Sequence, residues 1–310
     1  MKTVTGISSL PAYRKAVVAL GVFDGVHIAH QKILKAAVRK AFLIHGASLA
    51  VTFFPHPQKE ESLCSLKHRL VLICRLGIDN CIVIRFDRKI SLMTAEEFVR
   101  GILVNKIHAC YVLIGRNFRF GRGADGGLGL LRRMSRRYGF KVMAFSTIKS
   151  RGEVVSSTRI RRLIKKGDLI RAQEMLLRRV SVLGTVIRGA SLAKSLGFPT
   201  ANINPHHEVL PPKGVYAVKV VLKKNKLRGI CYIGVRPTLK AAQTTDKIDG
   251  SRQIHVEVHI FDFHGDIYGK DVEISFISKI REEKKFSCVH ELSLQVKKDI
   301  LSARQTLSSS

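Results

Sequence analysis

The hydrophobic periodicity of this sequence changes near its middle. From Val17 onwards, short apolar runs alternate with amphipathic segments, a pattern typical of a parallel sheet covered by helices. From about Val180, strand-like stretches separated by Gly and Pro turns follow one another and end in one helical pattern over 286–303. That second pattern indicates an antiparallel sheet or small barrel with a closing helix. Two domains of different class are therefore predicted, over 1–178 and 179–310.

The two patterns also predict individual elements. In the first domain, strands are predicted over 17–22, 47–54, 80–84, 110–114 and 140–145, and helices over 30–45, 65–77, 94–106 and 124–138. In the second domain, strands are predicted over 180–187, 214–222, 228–234, 254–263 and 271–278. Thr94 and Glu97 have the spacing of a helix capping box. Ligands of such parallel sheets bind beyond the carboxyl ends of the strands.

The composition excludes several classes of protein. With 45% hydrophobic and 25% charged residues, the 310-residue chain is globular and not disordered. No run approaches the ~18 apolar residues of a membrane span, and no signal peptide is evident, so we expect a cytoplasmic protein without a membrane partner. The six cysteines form no C-x-x-C pair, so neither a zinc site nor a disulfide framework has local support.

The chain is strongly basic, with a net charge of +31. Residues 116–178 alone carry 17 Lys or Arg against 4 Asp or Glu. Such a field attracts nucleic acid, an anionic membrane surface or phosphorylated small molecules, and the charge alone does not distinguish them. Because Trp is absent and aromatic residues make up only 7%, no obvious base-stacking platform favours single-stranded nucleic acid.

The segment GVFDGVHIAHQ (21–31) follows the first predicted strand. Gly21 and Gly25 bracket a tight turn, and His27 and His30 stand at the start of a helix. Helix amino termini present unpaired N–H groups and a partial positive charge, and two imidazoles can add donors to a developing pyrophosphate. The loop lacks both the dinucleotide fingerprint and the P-loop pattern. It predicts a phosphate site of another kind, with ordinary surface or core histidines as the alternative.

Two more polar segments follow in the first domain. Asn117 and Arg119 lie in a glycine-bounded loop after an apolar strand, on the expected ligand side, and an ordinary surface loop is the alternative. Ser157, Thr158 and Arg161 lie at the start of a predicted helix and could hold nucleotide phosphates. A simple helix cap followed by a solvated basic helix explains them equally well.

The second domain carries two segments with oxygen-bearing side chains. Pro199 fixes the backbone just before Thr200 and Asn202, whose oxygens suit magnesium and phosphate. Glu257 shares one face of a predicted strand with His259. A glutamate on a strand is usually solvated, but beside a bound hydroxyl substrate Glu257 would be a plausible general base.

Ten short segments, spread in order from Ala19 to about Asp299, carry a resemblance to a known family. They are GVFDGVHIAHQ (21–31), TFFPHP (52–57), IGRNFRFG (114–121), SSTRIR (156–161), LGFPTANI (196–203), LPPKGVYAV (210–218), IGVRPT (233–238), EVHIFDF (257–263), YGK (268–270) and REEKKF (281–286). Each segment alone is weak, but together they closely resemble the bacterial bifunctional riboflavin kinase/FMN adenylyltransferase family, often called FAD synthetase.

This resemblance implies a fold and an activity. The expected fold is a Rossmann-like α/β nucleotidyltransferase domain, related to enzymes with an H-x-G-H signature, joined to a six-stranded flavokinase β-barrel. The expected activity phosphorylates riboflavin to FMN with ATP and then adenylylates FMN to FAD, with release of pyrophosphate. Magnesium is the expected cofactor, and riboflavin, FMN and ATP are the expected partners. We expect no specific nucleic acid, and a monomer or a small homo-oligomer.

The resemblance also assigns roles in adenylyl transfer. His27 and His30 would contact the nucleotide phosphates, with Arg161 stabilising charge. The other residues assigned to ATP and its phosphates are Gly21, Phe23, Asp24, Gly25, Asn117, Ser157 and Thr158. The positive field of residues 116–178 would help to bring two polyanions together.

At the kinase site, the resemblance assigns three residues. Thr200 and Asn202 would hold magnesium and the ATP phosphates. Glu257 would accept the proton of the riboflavin 5′-hydroxyl while the loop around Thr200 excludes water.

The chain departs from the family pattern at a few positions. Ala29 stands where H-x-G-H has glycine, and a methyl group there could crowd the nucleotide. Ala193 and Lys194 replace a Gly-Arg pair, and Leu177 and Arg179 depart at the domain junction. Two alternatives therefore stay open, namely a riboflavin kinase with weakened adenylyl transfer and a basic nucleic-acid-binding protein.

Overall fold

The structure is a computed structural model, and it describes residues 1–7, 10–11, 13–57, 61–188, 198–235 and 254–309. The chain divides into two units, which are Met1–Arg161 with Glu174–Leu177, and Arg162–Gln173 with Arg178–Ser310. The predicted boundary between residues 178 and 179 stays a prediction. Ala193 and Lys194, and residues 196–197 and 236–238 of two motif segments, lie outside the described residues.

The first unit contains a six-stranded parallel sheet. Its strands are β1 (Lys2–Thr5), β2 (Ala16–Leu20), β3 (Ala47–Phe54), β4 (Asn80–Arg85), β5 (Ala109–Gly115) and β6 (Lys141–Phe145). Their order is β1-β4-β3-β2-β5-β6, and every pair is parallel. Because β3 and β5 lie on opposite sides of β2, the carboxyl end of β2 is the switch point at which such sheets bind ligands.

Helices cover both faces of this sheet. They are α1 (Ile28–Leu43), α2 (Leu66–Cys74), α3 (Arg88–Leu92), α4 (Ala95–Phe98) with a π-helical continuation (Val99–Val104), and α5 (Leu128–Tyr138). Two further helices, α6 (Ser157–Lys166) and α7 (Leu169–Leu176), follow the sheet in the sequence, and each has residues in both units. Val17 and Ala19 of β2 pack in one core cluster with α1 and α2, whereas Val18 and Leu20 pack in another with α3, α4 and α5. The continuous apolar run of β2 is thus buried on both faces, as parallel sheets require.

The capping box predicted from the sequence is present. The Glu97 N–H donates to Thr94 Oγ1 at 3.2 Å, and the Thr94 N–H donates to Glu97 Oε2 at 2.8 Å.

A short hairpin of β7 (Lys149–Ser150) and β8 (Glu153–Val154) precedes α6. The helix predicted over 124–138 begins later, at Leu128, because a 3-10 turn precedes it.

The second unit contains a closed antiparallel barrel. Its strands are β9 (Ser181–Ile187), β10 (Ala201–Asn204), β11 (Gly214–Leu222), β12 (Asn225–Val235), β13 (Ile254–Ile260) and β14 (Asp271–Arg281), in the order β10-β13-β12-β11-β14-β9. The closing helix α8 (Val289–Ser308) packs through Ala303 and Leu307 against Val215 and Ala217 of β11. The predicted α/β domain followed by a barrel with a closing helix is confirmed.

Candidate active sites

The turn after β2 carries a stacked pair of histidines. His27 is the N-cap residue of α1, and His30 lies in its first turn. Their ring centroids are 3.6 Å apart and the rings are nearly parallel, at 18°. The ring of Phe23 is buried and meets His30 edge-on at 5.4 Å. Phe23 thus supports the ring of His30, and its predicted contact with ATP stays a prediction.

His30 is electrostatically unusual. Its Nδ1 atom is buried and has no hydrogen-bond partner among the residues that the structure describes. Burial lowers the pKa of His30 well below its usual value, and the charges of His27 and Arg69 lower it further. The imidazole is therefore neutral at pH 7 and offers one N–H donor and one acceptor. A buried nitrogen without a partner is the kind of group that a ligand satisfies.

The lowered pKa of His30 predicts a dependence of stability on pH. In the unfolded chain His30 titrates near its ordinary pKa of about 6.5. Because only the unfolded state gains this proton as the pH falls below that value, acidification destabilises the fold. We expect the free energy of unfolding to fall between pH 7.5 and 5.5, and to fall by about 1 kcal/mol less in the His30→Asn variant. Urea unfolding at both pH values measures this, and equal losses in the two proteins would contradict it.

Asp24 organises the histidine turn from within. Its carboxylate is buried and accepts from the Leu63 N–H at 2.9 and 3.1 Å and from the Cys64 N–H at 3.4 Å. Arg161 Nη2 lies 3.4 Å from its Oδ2, and the Ser157 hydroxyl donates to its backbone carbonyl at 3.0 Å. The protein occupies this carboxylate, which would also repel phosphate. Asp24 is therefore placed to align Arg161, and its predicted role in binding ATP and its phosphates stays a prediction.

The other residues predicted for this site differ in exposure. Gly25 has a φ of +74°, and a Cβ there would lie 2.6 Å from Leu63, so the turn requires glycine. Gly21 begins the turn directly after β2 and is buried. Asn117, after β5, and Thr158, in the first turn of α6, have exposed side chains. The structure thus brings Asp24, Ser157 and Arg161 together through contacts, within the turn that leads to the histidine pair, and leaves Asn117 and Thr158 exposed.

Arg69 is a further candidate, and the sequence analysis missed it. This residue of α2 is fully buried. Its Nη1 donates to the carbonyls of Val22 at 2.9 Å and Phe53 at 3.1 Å, and to the Thr52 hydroxyl at 3.2 Å. It therefore joins the carboxyl ends of β2 and β3 beside the histidine pair. Sequence gave no signal, because a basic residue on a short helix is normally solvated.

Replacing Arg69 with methionine should destabilise the first unit. The change leaves three buried acceptors without their shared donor while keeping most of the apolar side-chain volume. We expect the free energy of unfolding to fall by about 2–4 kcal/mol. Urea unfolding measures the loss, with Arg39→Met on the exposed face of α1 as the matched control. Equal stability of the two variants would show that the Arg69 network contributes nothing.

In the second unit, β13 alternates between two environments. Val256, Val258 and Ile260 are buried, whereas Glu257 and His259 between them are partly exposed. In a closed barrel, residues that face the interior alternate with residues on the outside. Glu257 and His259 therefore lie on the outer surface of the barrel.

Glu257 has neighbours from both adjoining strands. Asn202 of β10 lies directly opposite it on one side, and Tyr232 of β12 on the other. The Thr200 hydroxyl donates to Glu257 Oε2 at 3.3 Å. The structure therefore brings together the three residues that were predicted for the kinase site, although Glu257 is more than 50 residues from the other two in the sequence.

Tyr232 was not singled out from the sequence. Its hydroxyl donates to Glu283 Oε1 at 2.6 Å, and the Val235 N–H donates to the same oxygen at 3.2 Å. Gly234 makes room for it, since a Cβ there would lie 2.0 Å from the Tyr232 oxygen. Burial raises the pKa of Tyr232, and the bond to Glu283 raises it further, so the phenol stays protonated. Tyr232 thus forms one fixed side of the Glu257 site.

The donors at this site fit a hard cation. The Thr200 hydroxyl and the Asn202 side chain supply oxygens of the kind that magnesium prefers. His259 Nδ1 lies 2.9 Å from the carbonyl oxygen of Pro199, which fixes the segment leading to Thr200. Within the described ranges, no three His, Cys, Asp or Glu residues are grouped to hold a metal. A cation here would depend on substrate phosphates for its other ligands.

Both sites carry groups suited to binding phosphate, and each lies in a unit with a different fold. This combination defines a two-domain transferase that acts on nucleotides. A riboflavin kinase family model matches residues 176–307, and an FAD synthetase model matches residues 10–159. The bifunctional riboflavin kinase/FMN adenylyltransferase of Haemophilus influenzae is 36% identical over 298 residues, which cover 94% of each chain. That of Escherichia coli K12 is 32% identical and covers 98% of this chain and 97% of its own. The chain belongs to the bifunctional riboflavin kinase/FMN adenylyltransferase family.

These matches confirm the predicted family, fold class and pair of enzyme activities, riboflavin phosphorylation and FMN adenylylation. They add no support to weakened adenylyl transfer or to a nucleic-acid-binding protein as the main role. A solved structure described as a macrolide-efflux protein from Streptococcus pneumoniae is 25% identical, covers 98% of this chain and 99% of its own, and superimposes with a TM-score of 0.80. Among the described residues, no helix combines the length and apolar character that crossing a membrane requires.

Proposed function

We propose that riboflavin is phosphorylated in a domain over 179–310 and that FMN is adenylylated in a domain over 1–178, each step using one ATP. The grouping of Thr200 and Asn202 around Glu257 carries this proposal, because it supplies a base and phosphate-orienting oxygens together. The stacked histidines of the other unit offer donors without a carboxylate free to act as base. Each site therefore suits one of the two reactions.

In the kinase reaction, Glu257 accepts the proton of the riboflavin 5′-hydroxyl. The hydroxyl oxygen forms a bond to the γ-phosphorus of ATP as the bond to the β,γ-bridging oxygen breaks, which yields FMN and ADP. Thr200 and Asn202 orient the phosphate oxygens, and the hydrogen bond from Thr200 keeps the Glu257 carboxylate beside them. Magnesium, held by Thr200 and Asn202, would spread the phosphate charge.

Adenylyl transfer needs no protein base, because the FMN phosphate is already anionic. It attacks the α-phosphorus of ATP and pyrophosphate leaves, so alignment and charge stabilisation dominate. His27 and His30 act as N–H donors to the phosphate oxygens. Arg161, aligned by Asp24, supplies the positive charge.

Product analysis tests this assignment. Purified protein incubated with riboflavin, ATP and magnesium is expected to form FMN first and FAD later, as resolved by liquid chromatography. Chelation of the magnesium should stop both steps. Formation of neither product across a range of conditions would contradict the proposal. A monomeric or small homo-oligomeric state and a cytoplasmic location stay predictions.

Ala29 provides a separate test of the weakened-transferase alternative. It lies in the first turn of α1, next to His30, and is partly exposed. Because a partly exposed methyl group can be accommodated, we expect the unmodified chain to convert FMN to FAD within about threefold of the rate of the Ala29→Gly variant. The assay supplies FMN directly, so the kinase step does not enter. A gain above about tenfold on restoring glycine would favour the alternative.

A further inference from the structure

One face of α5 is covered by arginines that neither reaction uses. The exposed residues are Arg132, Arg133, Arg136 and Arg137. The opposite side of the helix packs into the core through Leu130, Leu131 and Met134. The helix contains no acidic residue, and in the part of the chain that the structure describes none of the four arginines belongs to an ion pair. This charge is therefore free to bind an external anion.

The position of α5 separates this charge from adenylyl transfer. The helix packs on the face of the sheet opposite α1, which carries the histidine pair. It leads from the carboxyl end of β5 back to the start of β6, so successive turns move away from the ligand edge. At 1.5 Å per residue, Arg136 lies about 12 Å along the helix from Leu128. The charge of residues 116–178 was predicted to serve the nucleotide site, but the α5 part of it lies on the opposite face of the sheet from the histidine pair.

A cavity of about 280 Å³ adjoins this arginine face. Its lining includes Arg100, Arg133, Arg137, Tyr138, Thr94, Glu96, Glu97 and Met134. The guanidinium of Arg137 lies over the ring of Tyr138, 5.5 Å from its centroid. Three guanidiniums can hold phosphate oxygens, Tyr138 offers an aromatic surface for a base, and the carboxylate of Glu96 can accept from a base amino group.

We propose that the α5 arginine face and this cavity bind single-stranded nucleic acid without sequence preference, as a function additional to the two transferase reactions. An unpaired base can stack on Tyr138, which a base inside a duplex cannot do. A membrane surface fits less well, because the apolar side chains of α5 are buried and none remains to enter the lipid. A free nucleotide would fill the cavity but leave Arg132 and Arg136 unused.

Fluorescence anisotropy with a labelled 12-nucleotide oligo(U) tests the arginine face. The variant replaces Arg132, Arg133, Arg136 and Arg137 with glutamine, and the matched control removes the same charge from the β11–β12 hairpin by replacing Lys223, Lys224, Lys226 and Arg228 with glutamine. We expect the α5 variant to bind at least tenfold more weakly at 100 mM salt. Its plot of log affinity against log salt should be less steep by about 3, from about 0.7 per lost phosphate contact. The control should change affinity less than threefold.

The Tyr138→Leu variant tests the cavity. It should weaken oligo(U) binding by about tenfold through loss of stacking, and leave binding of a duplex of equal length unchanged. FAD formation from FMN, expected within twofold of normal, shows that each variant is folded. Equal losses in the α5 and hairpin variants, no oligo(U) binding at 100 mM salt, or an α5 variant that loses binding to phosphatidylserine vesicles but not to oligo(U) would each overturn the proposal.

Discussion

We expect the Glu257→Gln variant to lose riboflavin phosphorylation and to retain FMN adenylylation. Glutamine keeps the shape of the side chain and an oxygen that can accept from Thr200, so the 3.3 Å contact and the pairing of β13 with its neighbours survive. It cannot take the proton of the riboflavin hydroxyl. The rate of FMN formation should fall by about 10²- to 10⁴-fold, the usual range for general-base catalysis. Chromatography of products from riboflavin and, separately, from FMN measures both activities.

Glu282→Gln is the matched control for this variant. Glu282 is an exposed carboxylate in the same unit, paired with Lys279 on the surface. Its replacement removes the same charge without touching the Glu257 site, and both activities should stay within about twofold of normal. Normal riboflavin phosphorylation by the Glu257→Gln variant would remove Glu257 from the base role.

The second large effect is expected from His30→Ala. This change removes an N–H donor and the ring that stacks on His27, while the barrel is untouched. By analogy with the loss of one preorganised donor at other charge-stabilising sites, FAD formation from FMN should fall by about 10²- to 10³-fold. Riboflavin phosphorylation should stay within about twofold of normal. The same product assay, started from each flavin, measures the difference.

His45→Asn serves as the control for His30. His45 is an exposed histidine just after α1 with a positive φ, a conformation that asparagine tolerates. It should leave FAD formation unchanged. Thermal unfolding of the His30→Ala variant separates catalysis from folding, because the deleted ring also packs against Phe23. Loss of both activities without unfolding would contradict a separate adenylyl site.

Periodic patterns made the architecture predictable. The buried run of β2 and the alternation of β13 are local signals, read from neighbouring residues, and both fall where the sequence placed them. The elements missed include β1 and β10, each four residues long and therefore too short to show a period. The grouping of Thr200 with Glu257 was expected from family resemblance, since periodicity says nothing about which distant segments meet.

Residues whose roles depend on contacts between distant segments could not be predicted. Arg69 resembles any basic residue of an amphipathic helix until the fold buries it against the ends of β2 and β3. Asp24 was assigned to phosphate, and only the structure shows that backbone groups of Leu63 and Cys64 occupy its carboxylate. Tyr138 gave no sign of a stacking surface, because the cavity beside it is formed by residues from another helix.

A mixing experiment tests most directly whether consecutive flavin reactions occur at two independent sites. Glu257→Gln and His30→Ala proteins are each incubated with riboflavin, ATP and magnesium, alone and then together, and FAD is measured. Either variant alone should form FAD at about a hundredth of the normal rate or less. The mixture should form it readily, because FMN released by one protein is adenylylated by the other. A mixture that yields no FAD, while each variant still performs its remaining single reaction, would contradict this account.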